Sequence, residues 1–150
     1  MFLSHSSRNQ LTSFCLAGAV IAGYLASYQL GLLHSVWDPF FGAGSEIVLR
    51  SPLSRALPLP DALLGSFGYA TEALCVRTLD WKLAHALYII IALAMGAGAL
   101  ILVAYQLIVV QTLCTLCLVS AGISCALLVP AFATLRKSPP RKSSRAFRDV

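Results

Sequence analysis

Apolar residues fill most of the chain, and short polar or helix-breaking stretches divide them into four blocks. The first block runs from Leu11 to Val36. It is longer than a signal-peptide core and no small-residue cleavage site follows it, so it predicts an uncleaved first membrane span. Arg8 flanks its start, and Trp37 and Asp38 flank its end; a Trp there suits the interfacial aromatic belt. Residues 37–57 mix apolar residues with Pro39, Gly42, Gly44 and Pro52, which interrupt regular structure. They predict a loop holding a short interfacial helix near 46–50. Pro58 and Pro60 ahead of Asp61 form a helix-start signal. A second span is predicted over 60–77, with Ser66, Thr71 and Glu72 facing the bundle interior or its ends. From Leu83 to Leu135 no side chain carries a formal charge. A single helix of those 53 residues would be ~80 Å long, against a hydrocarbon core of ~30 Å. The run must fold back once, and Gln111-Thr112 is the natural break. That predicts a third span over 83–110 and a fourth over 113–134, with Pro130 kinking or ending the last. Ala17-Gly18-Ala19 and Gly96-Ala97-Gly98-Ala99 predict close helix packing.

Composition narrows the class. Of 150 residues, 58% are hydrophobic and 11% charged, and the mean hydropathy is +0.79. A soluble domain carries about 25% charged residues. Too few polar groups remain to cover a water-facing surface, which excludes a soluble globular protein, a disordered chain and a secreted disulfide scaffold. The expected fold is all-α, a polytopic membrane four-helix bundle over residues 11–135 with an outer loop between helices 1 and 2. Residues 1–10 form its N-terminal flank. The formal net charge of +5 resides in residues 136–150, where Arg136, Lys137, Arg141, Lys142, Arg145 and Arg148 face only Asp149. This tail is expected to be disordered and to meet anionic lipid, not nucleic acid. The positive-inside rule then puts both termini and the 77–82 turn in the cytoplasm of an inner (plasma) membrane protein. The 37–57 loop and the 111–114 turn lie outside; Arg50 and Arg55 run against this orientation, and the tail outweighs them.

Candidate chemistry centres on Cys114-Thr115-Leu116-Cys117. Two cysteines three apart on the first turn of a helix share a face, close enough to form a disulfide. The free N–H groups and positive dipole end of that helix stabilise a thiolate, and the outer compartment is oxidising. The plain alternative is two small buried hydrophobes. Cys15, Cys75 and Cys125 stand alone in apolar runs and are read as packing residues; an odd count excludes a fully intramolecular disulfide framework. A zinc site needs four ligands, and His5, His34 and His85 show no ligand spacing to the pair, so no metal site is expected. Gln111, close in sequence to the thiols, is a candidate pocket residue. Tyr24, Tyr28, Gln29, His85, Tyr88, Tyr105, Gln106, Ser120 and Ser124 are read as interfacial anchors or interhelical hydrogen-bonders. Asp61 after proline reads as a helix cap.

Ser51-Pro52, Leu57-Pro58-Leu59-Pro60-Asp61-Ala62-Leu63-Leu64-Gly65 with Tyr69, and Cys114-Thr-Leu-Cys117 together resemble the bacterial vitamin K epoxide reductase-like proteins. The resemblance covers residues 11–135 and implies a four-helix membrane bundle around a quinone of the ubiquinone or menaquinone type. It implies that Cys117 reacts with the quinone and that Cys114 exchanges with an incoming thiol or disulfide. Ser51 falls at the family's loop serine near the quinone. Asp61 falls where the family usually has Asn, a hydrogen-bond partner to the quinone oxygen, and Leu64 is expected on the same pocket. Relay members carry two loop cysteines, eight apart, ahead of that serine; here those positions are Trp37 and Ser45. Position 121, where members acting on vitamin K can carry Tyr, is Ala121, which points away from vitamin K epoxide as substrate. The short basic tail replaces the thioredoxin-like domain fused to many bacterial members, so a separate extracytoplasmic thioredoxin-like dithiol protein is the expected partner, reaching Cys114 directly.

The expected activity is that of a quinone-dependent thiol–disulfide oxidoreductase of the inner membrane. Two alternatives stand beside it. One is a non-catalytic membrane scaffold or subunit that kept the bundle and lost the loop relay. The other is a different quinone-coupled disulfide-forming enzyme of similar shape.

Overall fold

The structure, a computed structural model, describes residues 5–54, 58–78 and 82–136. Residues 1–4, Arg55 and Leu57, residues 79–81 of the expected turn and the expected tail from Lys137 onward lie outside the described residues. The described chain is helical, with no strand among the described residues: α1 (His5–Gln29), α2 (Gly44–Leu49), α3 (Asp61–Arg77), α4 (Lys82–Tyr105) and α5 (Thr115–Arg136). Three of these, over Ser6–Gln29, Leu83–Val110 and Thr115–Ala133, are long and apolar enough to cross a membrane. The 17-residue α3 is shorter and carries Asp61, Glu72 and Arg77. Helix α1 packs along α3 and α5, and α4 packs along the same two. Outward-facing Val20, Ile90, Leu100 and Ile108 are mostly exposed; in a chain with so few charges, such a face suits lipid.

Most predicted boundaries fall close to the observed ones, and the exceptions have local causes. α1 stops at Gln29 although the apolar run continues to Val36. Gly31 takes a φ of 78°, its N–H bonds to the Tyr28 carbonyl, and the Leu32 N–H bonds to the Ser27 carbonyl. That pair of bonds closes a helix end of the Schellman type, which needs a left-handed residue. The third run winds as an α-helix to Tyr105 and then as a π-helical turn over Gln106–Val110. Gln111 follows with a φ of 53° and makes the reversal expected at Gln111-Thr112. α5 continues through Pro130 to Arg136, so the proline does not end it. The short helix expected near 46–50 is α2.

The core forms where α1, α3, α4 and α5 meet. Tyr69 of α3 is 1% exposed. Its hydroxyl donates to the Ser120 carbonyl at 2.6 Å and lies 2.7 Å from the Ser124 hydroxyl, tying α3 to α5. Tyr88 donates to the Leu127 carbonyl at 2.9 Å and ties α4 to α5. The small-residue stretches split in role. A Cβ on Gly18 would sit 2.8 Å from the Tyr69 ring, and one on Gly96 would sit 2.5 Å from Leu128, whereas Gly98 has no such neighbour and borders a cavity. The polar residues of α3 also divide. Ser66 donates to the Ala19 carbonyl of α1 at 3.1 Å. Thr71 turns outward and bonds its own helix at the Phe67 carbonyl, the usual resolution for a hydroxyl on a helix surface. Glu72 is fully buried, and neither carboxyl oxygen has a hydrogen-bond partner among the described residues.

Candidate functional site

The α5 N-terminus is built from the thiol motif itself. The Cys114 carbonyl accepts the first helical bond, from Leu118 N–H at 3.0 Å, so Cys114 is the N-cap residue. Its sulfur accepts the Cys117 N–H at 3.2 Å, the role a Ser or Asp oxygen usually plays at that position. The Thr115 N–H is taken by Asp38 Oδ2 at 3.0 Å. Two of the N–H groups that a helix start leaves without partners are therefore satisfied by a sulfur and a carboxylate. Both acceptors suit the positive end of the helix dipole.

Asp38 holds the 38–45 loop on this helix start. Its Oδ1 accepts the Phe40 and Phe41 N–H groups at 3.0 and 2.9 Å. Its two oxygens also accept the hydroxyls of Thr115 and Ser45. Desolvation opposes its charge, but the hydrogen bonds from Phe41, Ser45 and Thr115 win and hold its carboxyl well below the usual carboxylate range. Ser45 is fully buried between Asp38 and the Cys114 sulfur. The helix that follows lies close because Gly44 has no side chain: a Cβ there would sit 2.6 Å from Thr112 Cγ2 and 2.7 Å from the Leu113 carbonyl oxygen. Gly44→Ala is accordingly expected to lift α2 and cost about 1–3 kcal/mol, read as a lower melting temperature with faster alkylation of Cys114.

The rest of the loop is pinned by the C-terminal end of α1. The Trp37 N–H donates to the Tyr24 hydroxyl at 3.1 Å, and Arg50 Nε donates to the Tyr28 hydroxyl at 2.8 Å. Gln29 Nε2 donates to Asp61 Oδ1 at 2.6 Å, while its Oε1 accepts the Ala62 N–H at 3.3 Å. Helix α3 thus starts against α1. Pro60, not Asp61, occupies the α3 N-cap position. Asp61 sits one residue inside, and its Oδ1 accepts the next N–H, that of Ala62, at 2.8 Å. The cap expected of Asp61 is corrected to this contact, because the helical turn begins at the proline.

The two sulfurs have different surroundings. Cys114 is fully buried beneath the loop; Cys117 is partly buried and borders a cavity of about 390 Å³. Ser51, Ser54, Asp61, Leu64 and Gln106 border the same cavity, and Tyr69, Ser120 and Ser124 do so deeper in the bundle. Its walls are apolar, with Leu25, Leu49, Met95, Leu102 and Val103 among them. Ser51, Asp61, Leu64 and Cys117 therefore come together on one cavity, and Cys114 does not border it. Gln111 does not: its left-handed backbone leaves the side chain exposed, away from the cavity. Gln106, five residues earlier, occupies that role. It is 2% exposed, its Oε1 accepts the Cys114 N–H at 3.2 Å, and its backbone carbonyl accepts the Thr112 N–H at 3.3 Å. Asp38, Gln29 and Gln106 carry the site's framework, and the sequence reading assigned none of them a site role. A polar side chain inside or beside an apolar span was the available signal.

In the dithiol form Cys114 is the sulfur held as a thiolate. Hydrogen bonding from the Cys117 thiol is the main cause, desolvation opposes it, and Ser45 and the Cys117 N–H add to the lowering; its pKa falls from 9.0 to about 7. Ultraviolet thiolate absorbance, taken as the difference from Cys114→Ala, is expected to rise with a midpoint near pH 7. The sign for stability follows. A depressed pKa stabilises the fold fully above the unfolded value, and that contribution is lost as pH falls through about 7. A midpoint near 9 would mean that the cap does not hold charge.

An apolar cavity of this size, with a few polar atoms at one end and a sulfur on its wall, fits a planar apolar ring bearing carbonyl oxygens. No curated protein matches the chain. The family model described as Vitamin K epoxide reductase family does match it, over residues 10–132, and the chain belongs to that family.

Proposed function

We propose that this chain is a thiol–disulfide oxidoreductase of the plasma (inner) membrane that passes two electrons between the Cys114–Cys117 pair and a quinone of the ubiquinone or menaquinone type. Family membership supports oxidoreductase activity, and the three apolar helices fit a membrane protein. In this reading α3 is the fourth span of a four-helix bundle. Residues 11–135 are the membrane domain, both termini are cytoplasmic, and the loop carrying α2 is the outer one. The observation that carries the proposal is the split between the sulfurs. Cys117 borders the apolar cavity, and Cys114 lies at the loop that faces the outer compartment in this orientation.

The cycle follows from that split. An external thioredoxin-like dithiol protein attacks the Cys114–Cys117 disulfide at Cys114. It leaves oxidised, and the pair is left as the dithiol. A bound quinone supplies a two-electron oxidant. The pair returns to the disulfide as two electrons and two protons pass to the ring, with Cys117 as the sulfur in contact with the cavity. Asp61, Ser51 and Leu64 bind and orient the ring, with Ser54 holding the Asp61 carboxyl, and the apolar wall excludes water. Because Cys114 is covered by Ser45 and Asp38, the loop must lift before a partner sulfur can reach it. The test is quinone reduction by the purified protein with a dithiol donor. Turnover is expected, and its absence with both ubiquinone-type and menaquinone-type acceptors overturns the proposal.

A second reading, a membrane scaffold that no longer turns over, draws on two observations: Cys114 is 0% exposed, and Trp37 and Ser45 stand where the relay cysteines would be. Maleimide labelling of membranes before and after reductant separates the two. Catalysis requires a fraction of the pair to be blocked until reductant is added. Cysteines that are never oxidised, with no quinone copurifying, favour the scaffold.

A further inference from the structure

Asp61 can address the cavity through only one oxygen. Its Oδ1 already takes two donors, Gln29 Nε2 at 2.6 Å and the Ala62 N–H at 2.8 Å, which use both lone pairs of that atom. Its Oδ2 takes one, the Ser54 hydroxyl at 3.0 Å. Gln29 comes from α1 and Ser54 from the segment after α2, so elements other than its own helix orient the carboxylate. Among the described residues every group hydrogen-bonded to it is a donor, so its oxygens act as acceptors. One lone pair, on Oδ2, is left for a ligand, and Asp61 shares its cavity with Ser51, Ser54 and Cys117.

A quinone carbonyl brings only lone pairs to such a group, whereas a quinol hydroxyl brings a hydrogen. We propose that Asp61 makes this site selective for the reduced form of its ring substrate, with Oδ2 accepting a quinol O–H and offering nothing to the carbonyl. The inference rests on the cavity being the quinone site. In the reaction the Cys114 thiolate closes the bond to Cys117 as the Cys117 S–H bond breaks, and the two electrons, that proton and one taken from water make two O–H bonds on the ring. One of those O–H groups then donates to Oδ2. Binding the product more tightly than the substrate pulls electrons off the thiols, so the site favours disulfide formation. An amide at position 61 reverses the selection. With its carbonyl oxygen kept toward Gln29 and Ala62, its NH₂ occupies the Oδ2 position and donates to a quinone carbonyl.

The test measures binding, not turnover. The full chain in lipid nanodiscs, carrying Cys117→Ala so that no electrons move, is equilibrated with a short-chain benzoquinone and a short-chain naphthoquinone, each as quinone and as pre-reduced quinol. Equilibrium dialysis gives the four affinities. The quinol of the ring that binds is expected to bind roughly tenfold tighter or more than its quinone, the range of one charge-assisted hydrogen bond. Asp61→Asn is expected to equalise or invert that ratio, and Ser54→Ala, which keeps the carboxylate, to preserve it. Equal binding of the two redox forms in the Asp61 protein overturns the assignment and leaves quinone coupling standing. So does a ratio unchanged in Asp61→Asn, or one lost equally in Ser54→Ala. Binding of neither ring in either form overturns the quinone reading and this inference together.

Discussion

Replacing Cys117 with alanine is expected to reduce dithiol-driven quinone reduction to background, a loss on the order of 10⁴-fold or more. One sulfur cannot close the bond that releases two electrons, so no slower route through Cys114 remains. Of the two sulfurs Cys117 is the one on the cavity wall, so its loss separates the electron donor from the ring. Cys117→Ser adds a second readout. Supplied with the oxidised partner, the Cys114 thiolate attacks the partner's disulfide and is held as a mixed disulfide, visible on a non-reducing gel, as the partner's other sulfur leaves as a thiolate; no Cys117 thiolate is present to displace the partner. Cys114→Ser traps nothing at Cys114. Unchanged turnover in Cys117→Ala would remove the mechanism, whatever the cavity binds.

The other large effect is expected at Asp38. Asp38→Ala removes the acceptor shared by the Phe40, Phe41 and Thr115 N–H groups and by the Ser45 and Thr115 hydroxyls. Losing a charged helix cap together with the loop's main tie is expected to cost about 2–3 kcal/mol. The cost falls on the closed loop, so the fully buried Cys114 is expected to be alkylated roughly tenfold to a hundredfold faster. Asp38 itself raises the Cys114 pKa by charge repulsion. Removing it therefore also favours the thiolate, so the two rates are compared well above the Cys114 pKa of about 7, where the sulfur is ionised in both proteins and faster labelling reports exposure. Comparing alkylation in folded and denatured protein isolates the contribution of the loop. An unchanged folded-state rate would mean that Asp38 does not hold the loop down. The acid dependence has the matching sign. The carboxyl is held below its usual range, so its contribution to stability is complete at neutral pH and is lost as acid protonates it.

These effects converge on one arrangement, in which the helix that carries the thiols is capped from two sides. Cys114 caps it with its own sulfur, and Asp38 caps it from a loop 77 residues earlier in the chain. Ser45, held in place by Asp38, both stabilises the Cys114 thiolate and hides it, while the Asp38 charge opposes that thiolate. Access to Cys114 and charge on Cys114 are therefore coupled, because lifting the loop removes Ser45 from the sulfur as it opens the path.

Much of this protein was legible along the chain. Uncharged runs too long for one crossing, ended by Gln111-Thr112, specified the α4–α5 reversal, since hydrocarbon thickness limits a span and backbone polar groups must close on themselves in lipid. Pro60-Asp61 marked the α3 start to within one residue. The Cys114–Cys117 spacing placed both sulfurs on the first turn of a helix, because i and i+3 share a helix face. Tertiary contact alone decided the rest. Nothing local distinguishes Gln106 from Gln111: both are glutamines near the thiols, and a π-helical turn followed by a left-handed residue turns one inward and the other out. Nothing local assigns Asp38 to the Thr115 N–H. Hydropathy reports which segments leave water, a property of each segment by itself. Which buried sulfur meets the cavity, and which carboxylate meets the helix end, depends on directional hydrogen bonds between residues far apart in the chain, and those exist only once the helices and the loop are packed.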